Sequence, residues 1–377
     1  MRRTLALAST VCLLALTACT GTADDTVESV PDTVEDLAEE GPTGLALVHR
    51  GYEGGDPETD QVLVFHDAVT GQPLHRFDLP DGSVDPMATE PPVHARFSED
   101  WAFFVYATRE PNAVHIAVLT DSEETPPTAE PAEGEKPSAF FYLPVESIAP
   151  PAGEVLSDPV VHGDRLWFVS DDPQDANPPR VLSVPLSAPS GTPNQEGSLP
   201  LGENRRPSDW SLTPEGALHI RDSVQTRQVG GGGNLVVRQT GDSVVNATLS
   251  IDGGQWQSFD DAPVWGAGTA LLRSDGSGGE PPKGAYLVTV DAQGHTATRI
   301  LENADGPVAQ YALPAERDAV LAQTPTAWFR VDLDENGTVT GTEELFPRFH
   351  DSSMDGWPLA VRWVRTPVAI ESPSPTE

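Results

Sequence analysis

The chain repeats a strand–turn–strand unit about every 50 residues, and this period limits its possible folds more than any other feature. Each unit is an apolar run, a turn with an acidic residue or a glycine, and a second apolar run. The units are ARFSEDWAFFVYAT at 95–108, DPVVHGDRLWFVSDD at 158–172, DWSLTPEGALHIRDS at 209–223, APVWGAGTALLRSDG at 262–276 and QYALPAERDAVLAQT at 310–324. Apolar runs rich in Val, Leu, Ile and Phe on either side of such turns predict β-hairpins.

A second hairpin is predicted between most of these units. These hairpins lie at 61–79, 180–201, 284–301 and 327–345. Two hairpins in succession make a four-stranded antiparallel sheet, and such sheets at a period of about 40 to 50 residues are the blades of a β-propeller. The sequence therefore predicts an all-β fold, a β-propeller of four-stranded antiparallel blades.

One turn resembles a known repeat. The segment Phe97-Ser98-Glu99-Asp100 stands where the WD40-like and TolB-like propeller repeats of bacterial envelope proteins carry a Ser-Pro-Asp-Gly turn. The Trp-Asp dipeptide of eukaryotic WD40 blades is missing, so the resemblance is to an architecture.

The hairpin count favours six blades over residues 43–366, with seven as the alternative. The runs at 43–51 and 357–365 are expected to pair in the closing blade. A pair of β-sandwiches is a further alternative, although it gives no reason for the 50-residue period.

The net negative charge argues against two classes of partner. The chain has 58 acidic and 22 basic residues and a formal charge of -36, so nucleic acid and anionic lipid headgroups would repel it. Its 33 glycines and 37 prolines disfavour helices. Lys136 and Lys283 are the only lysines, and this preference for arginine fits a high-GC genome such as an actinobacterial one.

The N-terminal residues are predicted to be a secretion signal. Arg2 and Arg3 precede an apolar run that is too short to span a bilayer permanently. The following segment, Leu16-Thr17-Ala18-Cys19, resembles the lipobox of bacterial lipoproteins. The resemblance implies that residues 1–18 are cleaved, that Cys19 is the lipid attachment site, and that the chain is anchored on the outer, extracytoplasmic face of the cell membrane.

Other low-complexity segments surround the repeats. Residues 19–42 are predicted to be an acidic disordered tether, residues 121–137 an acidic loop insertion, and residues 367–377 a disordered tail. Cys12 leaves with the signal, so the mature chain has no thiol pair for a disulfide or a cysteine metal site.

No established catalytic motif occurs, because the chain has no Gly-x-Ser-x-Gly elbow, His-Glu-x-x-His pair or phosphate-binding loop. Its nine histidines are scattered without ligand spacing. The pairs Asp171-Asp172 and Asp260-Asp261 could serve as acid and base, although chance predicts such pairs in so acidic a chain. The run from Gly230 to Gly233 is expected to be a hairpin turn. We therefore predict no catalytic residue.

One motif matches a calcium loop. Asp332, Asp334, Asn336 and Glu343 follow the spacing of the twelve-residue calcium-binding pattern, with Gly337 at the bend. The flanking runs resemble strands, so a tight Asn-Gly hairpin turn is the alternative to a Ca²⁺ site.

Eight tryptophans fall mostly in strand-like runs and are expected to pack between blades, with one or two left for a stacking surface. The favoured function is a binding or scaffold module for an envelope protein or for an extracellular, cell-wall, glycan or peptide ligand. The alternatives are a propeller that stabilises a membrane complex, and a hydrolase, lyase or lactonase that uses carboxylates and a metal at the channel mouth.

Overall fold

A computed structural model describes residues 41–84, 93–121 and 140–199 almost continuously. Beyond them it describes 209–212, 216, 218–221, 233–239, 244–250, 269–274, 284–291, 294–302, 310–312, 314, 316, 318–334, 339–348 and 358–367. The chain divides into two compact units, Met1–Val30 and Pro31–Glu377, and every described residue belongs to the second. Within the described residues the structure is all-β, with two short 3₁₀ helices at Tyr52–Gly54 and Val93–Arg96.

The first sheet has seven strands drawn from both ends of the chain. They are β1 (Gly44–Arg50), β2 (Gln61–His66), β3 (Pro73–Asp78), β4 (Phe103–Arg109), β5 (Asn112–Asp121), β6 (Phe140–Ile148) and β22 (Leu359–Val364), in the order β22-β1-β2-β3-β6-β5-β4. All neighbours are antiparallel except β3 and β6, which pair in parallel at Phe77 with Phe140 and at Asp78 with Phe141. The sheet is therefore two antiparallel meanders joined at one short parallel contact.

The second sheet is a four-stranded meander. Its strands are β7 (Val155–His162), β8 (Arg165–Asp171), β9 (Arg180–Pro185) and β10 (Asn194–Ser198), and neighbours in the chain are neighbours in the sheet.

The third and fourth sheets repeat these two patterns. The third contains β11 (Asp209–Leu212), β12 (Leu218–Arg221), β13 (Gly233–Gln239), β14 (Val244–Ser250), β15 (Thr269–Ser274), β16 (Gly284–Asp291) and β17 (Gly294–Glu302), with a parallel contact between β14 and β17. The fourth contains β18 (Gln310–Ala312), β19 (Ala319–Gln323), β20 (Ala327–Leu333) and β21 (Val339–Pro347).

Most predicted hairpins are confirmed, including those at 61–79, 158–172, 180–201 and 327–345. The unit at 95–108 differs, because Val93–Arg96 is a 3₁₀ helix and only Phe97 bridges Phe104 across the turn. The first part of the predicted unit at 262–276, most of the predicted insertion at 121–137 and most of the predicted tether at 19–42 lie outside the described residues.

The two ends of the folded chain meet, as the sequence predicted. Strand β22 pairs antiparallel with β1, from Gly44 opposite Val364 to Val48 opposite Leu359, with one register shift after Ala46. A pairing between residues so far apart in sequence closes the longest loop in the described chain, and loop-closure entropy opposes it. Hydrogen bonds and the burial of both strands must compensate.

An aromatic cluster forms the core of the first sheet. Phe65 and Trp101 meet edge to face with ring centroids 4.9 Å apart, and Phe97 and Phe104 stack at 4.6 Å. The Tyr142 hydroxyl donates to the Trp101 carbonyl oxygen at 2.8 Å. Each such ring pair contributes about 0.5 to 1.5 kcal/mol beyond the burial of its area.

Arg362 of β22 hydrogen-bonds the closing strand to the segment Phe97–Asp100, which resembles a turn of propeller repeats. Its Nη1 donates to the Ser98 carbonyl oxygen at 2.9 Å, its Nη2 donates to the Phe97 carbonyl oxygen, and its guanidinium lies 4.8 Å from the Trp101 ring centroid. Within the turn, the Phe103 N–H donates to Ser98 Oγ at 2.9 Å. Trp101 has a φ of 65°, a left-handed conformation that a bulky residue adopts only when its surroundings hold it.

Two meanders also contact each other through their first strands, β18 and β22. The Val93–Arg96 helix packs against both β22 and β7. The end of β7 approaches Gly216, which precedes β12 in the chain, and a Cβ on Gly216 would lie 2.8 Å from His162 Nε2. Gly216 also has a φ of 80°, so only glycine fits this approach without strain.

Candidate functional site

A polar pocket of about 400 Å³ lies at one end of the second sheet. In an antiparallel meander the start of β7, the end of β8, the start of β9 and the end of β10 lie at the same end of the sheet. Side chains from all four strand ends and from the β8–β9 loop therefore converge there. The lining residues are Glu154, Ser170, Asp172, Asp175, Asn177, Pro178, Arg180, Gln195 and Ser198.

Glu154 is the best-held group of this pocket. Its Oε2 accepts a hydrogen bond from Arg180 Nη2 at 2.6 Å and another from the Ser170 hydroxyl. Ser170 is buried, whereas the Arg180 side chain is 40% exposed. The Glu154–Arg180 ion pair is thus held by the buried Ser170 on its Glu154 side and is open to solvent on its Arg180 side.

The β8–β9 loop is ordered by its own acidic residues. Asp172 Oδ1 accepts from the Gln174 N–H at 2.9 Å, and Asp175 Oδ2 accepts from Asn177 Nδ2 at 2.6 Å. Such local turns fix the loop without a core beneath it. With three carboxylates against one guanidinium, the pocket is suited to ligands that carry ammonium groups or hydroxyls.

Two residues of the predicted calcium loop, Asp332 and Glu343, lie on the β20–β21 hairpin. Asp332 is on β20, opposite Gly341 of β21, and Arg330 is opposite Glu343. Because directly opposed residues share a face, Asp332, Arg330 and Glu343 lie on one side of the hairpin. Arg330 Nε donates to Asp332 Oδ1 at 2.7 Å, so a cation already neutralises one proposed ligand.

The calcium hypothesis itself stays a prediction. Asp334 follows β20, but Asn336 and the turn around it lie outside the described residues. In the part of the chain that is described, no three His, Cys, Asp or Glu side chains are grouped so that they could hold a metal ion. Cys19, the predicted lipid attachment site, also lies outside the described residues.

The two aspartate pairs and the tryptophans that the sequence singled out lie in different parts of the chain. Asp172 lines the pocket, whereas Asp260-Asp261 lies outside the described residues. The described tryptophans are buried, as the sequence predicted, and comprise Trp101, Trp167, Trp210, Trp328 and Trp363.

A buried histidine pair lies in the first sheet. His49 Nε2 and His66 Nε2 are 3.1 Å apart, and His66 Nδ1 contacts the Gly71 carbonyl oxygen at 3.0 Å. Burial, with a smaller contribution from His66, lowers the pKa of His49 to about 3, and burial lowers the pKa of His66 to about 4. Both rings are neutral at neutral pH.

Asp158 is a buried acidic group that no sequence motif marks. It lies on β7 within a register shift against β8 and has a φ of 52°. Burial raises the pKa of its carboxyl, while a 2.7 Å hydrogen bond from Ser157 Oγ and the charge of Arg96 act in the opposite direction. Asp158 and Arg96 thus place opposite charges near each other where β7 meets the Val93–Arg96 helix.

Comparisons with known proteins give only distant likenesses. No family model and no curated protein matches the chain. Among solved structures, a candidate 6-phosphogluconolactonase from Bacteroides fragilis is similar at 11% identity and a TM-score of 0.44, over 85% of this chain and 97% of that one. A β-propeller domain from Myceliophteria thermophila is similar at 10% identity and a TM-score of 0.39, over 81% of this chain and 89% of that one.

These likenesses say nothing about function, and the strand pairing alone defines the architecture. Among the described residues, no helix has the length and apolar character needed to cross a membrane.

Proposed function

We propose that the chain is a lipid-anchored, extracytoplasmic β-propeller that works by binding, as a recognition or scaffold module in the cell envelope. The observation that carries the propeller part is the pairing of β22 with β1, at the point where successive meanders would close into a ring. The lipobox-like segment ending at Cys19 supports the anchor.

The strand order supports six blades. Strands β22, β1, β2 and β3 make one meander, and β7–β10, β11–β14 and β18–β21 make three more. Strands β4–β6 and β15–β17 make two three-stranded meanders, the first of which gains Phe97 as a bridge beside β4. The contacts of β22 with β18 and with the Val93–Arg96 helix fit first strands that line a common axis.

The pocket beside Glu154 and Arg180 is the proposed recognition site. Its carboxylates, together with a formal charge of -36 on the chain, favour a cationic partner such as a basic segment of an envelope protein or an amine-bearing wall ligand. Hydroxyls of a glycan could also be held by Glu154 and Asn177.

The experiment is a crosslinking pull-down from native membranes with the full lipidated protein. We expect an envelope partner in stoichiometric amount, lost in the double variant Asp172→Asn with Asp175→Asn. Glu316→Gln is the matched control, because Glu316 is an exposed carboxylate away from the pocket. Equal capture by the double variant and the wild type would contradict the assignment of the pocket.

Anchoring is tested separately. Cys19→Ala should release the protein into the medium or leave its precursor uncleaved, and metabolic labelling with palmitate should mark the wild type alone. Detergent-dependent membrane retention of Cys19→Ala, equal to that of the wild type, would refute the lipid anchor and leave the pocket proposal standing.

A further inference from the structure

A hydrogen-bonded relay of three side chains lies on one face of the β4–β5–β6 meander. His115 of β5 is directly opposite Tyr106 of β4 and Ser147 of β6. His115 Nδ1 lies 3.1 Å from Ser147 Oγ, and His115 Nε2 lies 2.9 Å from Thr108 Oγ1. A hydroxyl thus meets each nitrogen of one imidazole.

The direction of these hydrogen bonds follows from Thr108. Its hydroxyl donates to the Pro111 carbonyl oxygen at 2.6 Å, which uses its single proton. Thr108 Oγ1 can then only accept from His115, so the imidazole proton is on Nε2. The Nδ1 lone pair is left to accept the hydroxyl proton of Ser147. The tautomer needed for a general base is therefore set by the Thr108–Pro111 hydrogen bond.

The ring is also held in place and kept neutral. His115 stacks on Tyr106 with ring centroids 4.7 Å apart and planes inclined by 18°. Burial lowers the pKa of His115, which keeps the imidazole unprotonated at neutral pH. Ser147 is exposed, so its oxygen is open to a molecule arriving from solvent.

We propose that Ser147 is a nucleophile, that His115 is its general base, and that the pair accepts acyl groups from carboxylic esters. Ser147 Oγ forms a bond with the ester carbonyl carbon while its proton moves to His115 Nδ1. The tetrahedral intermediate expels the alkoxide, which takes the proton from Nδ1. Water, deprotonated by His115, then hydrolyses the acyl-serine and restores the hydroxyl.

The relay is separate from the pocket beside Glu154, and the proposal does not depend on the binding function. It differs from enzymes of the carboxylate-and-metal type because no metal is required. Thr108 acts as a positioning residue, since of the two reacting side chains it hydrogen-bonds only to His115 and not to Ser147.

The first test is labelling of the folded protein with a fluorophosphonate, followed by peptide mass spectrometry. The reagent loses fluoride as a phosphorus–oxygen bond forms, and we expect the label on Ser147. Ser147→Ala should abolish labelling, whereas Ser190→Ala, which removes another exposed serine, should leave it unchanged. No labelling of the wild type would overturn the proposal.

The role of the base is tested with His115→Phe, which retains a ring to stack on Tyr106. The labelling rate should fall by about 100-fold or more, which is the range of general base catalysis. A thermal melt confirms that the variant is folded, and His115→Gln provides a second variant if it is not. A labelling rate that is the same in folded variant and wild type would show that His115 is not the base.

The tautomer is read directly by nitrogen-15 NMR of the imidazole. In the wild type, the Nε2 resonance should have the shift of a protonated nitrogen, and Nδ1 that of an unprotonated one. Thr108→Val should mix the two tautomers and slow the release of p-nitrophenol from p-nitrophenyl acetate. A wild-type spectrum with the proton on Nδ1 would overturn the assignment.

Discussion

The first and second sheets share the same local pattern but differ in how the chain builds them. Strands β1 and β2 are buried along almost their whole length, whereas every residue of β10 is exposed or half-buried. The first sheet takes strands from both chain ends, and the second is one continuous stretch. The buried strands β1 and β2 lie where the two chain ends pair, whereas the exposed β10 and the strand ends of the second sheet leave room for polar loops and a pocket.

Among the substitutions that roughly keep side-chain size, the largest effect at neutral pH is expected at Arg362, which ties the first sheet to the neighbouring turn. Arg362→Met should lower the free energy of unfolding by about 3 kcal/mol, because two carbonyl oxygens lose charge-assisted hydrogen bonds worth roughly 1.5 to 3 kcal/mol each and water replaces part of them. Urea unfolding measures the loss. Arg365→Met is the control, because Arg365 pairs with the exposed Asp318 and should cost about 1 kcal/mol or less. Equal losses in the two variants would remove the special role of the closing strand.

The histidine pair should make the first sheet sensitive to acid. The lowered pKa values mean that the unfolded chain binds protons on His49 and His66 at a higher pH than the folded chain does. The contribution of the two neutral rings to the free energy of unfolding is fully present above about pH 6.5. It is lost as pH falls towards 4 and then 3, by roughly 1.4 kcal/mol per pH unit for each ring.

Chemical denaturation between pH 7 and 4 tests this sensitivity. His75 and His115 add contributions of the same sign, because burial lowers their pKa values as well. The double variant His49→Gln with His66→Gln should therefore flatten the dependence without abolishing it. A pH profile identical to that of the wild type would show that the pair does not titrate on unfolding.

A smaller effect is expected at the pocket of the second sheet. Arg180→Gln should lower the free energy of unfolding by about 1 kcal/mol or less, since the ion pair with Glu154 is partly exposed. Arg180→Gln should change the affinity for the proposed envelope partner more than it changes the free energy of unfolding. A loss as large as that of Arg362→Met would mean that the second sheet is held as tightly as the first.

The smallest effect is expected from Trp328→Phe. Trp328 is fully buried, and in the described part of the chain its indole N–H has no hydrogen-bond partner. Phenylalanine removes this unpaired donor, which offsets the loss of packing, so the change should stay within about 1 kcal/mol. Trp328→Ala, measured alongside, should cost about 3 to 5 kcal/mol because it leaves a cavity.

The sequence by itself determined the all-β class, most hairpins and the pairing of the terminal runs. The all-β class and the hairpins follow from residue alternation and turn chemistry, which act between neighbours in the chain. The pairing of the terminal runs follows from the repeat, because a ring of blades has to be closed by the two ends of the chain. The prediction for 95–108 was less accurate, since Arg362, from the far end of the chain, contacts Ser98 and the left-handed Trp101, and the Val93–Arg96 helix packs against β22.

Only the tertiary structure decided which polar residues meet. Glu154 and Arg180 are 26 residues apart, His115 and Ser147 are 32 apart, and no local pattern marks either pair. Strand register brings them together, and register depends on the burial of whole faces rather than on the polar residues themselves. The sequence therefore predicts where strands form, and packing decides which side chains can act together.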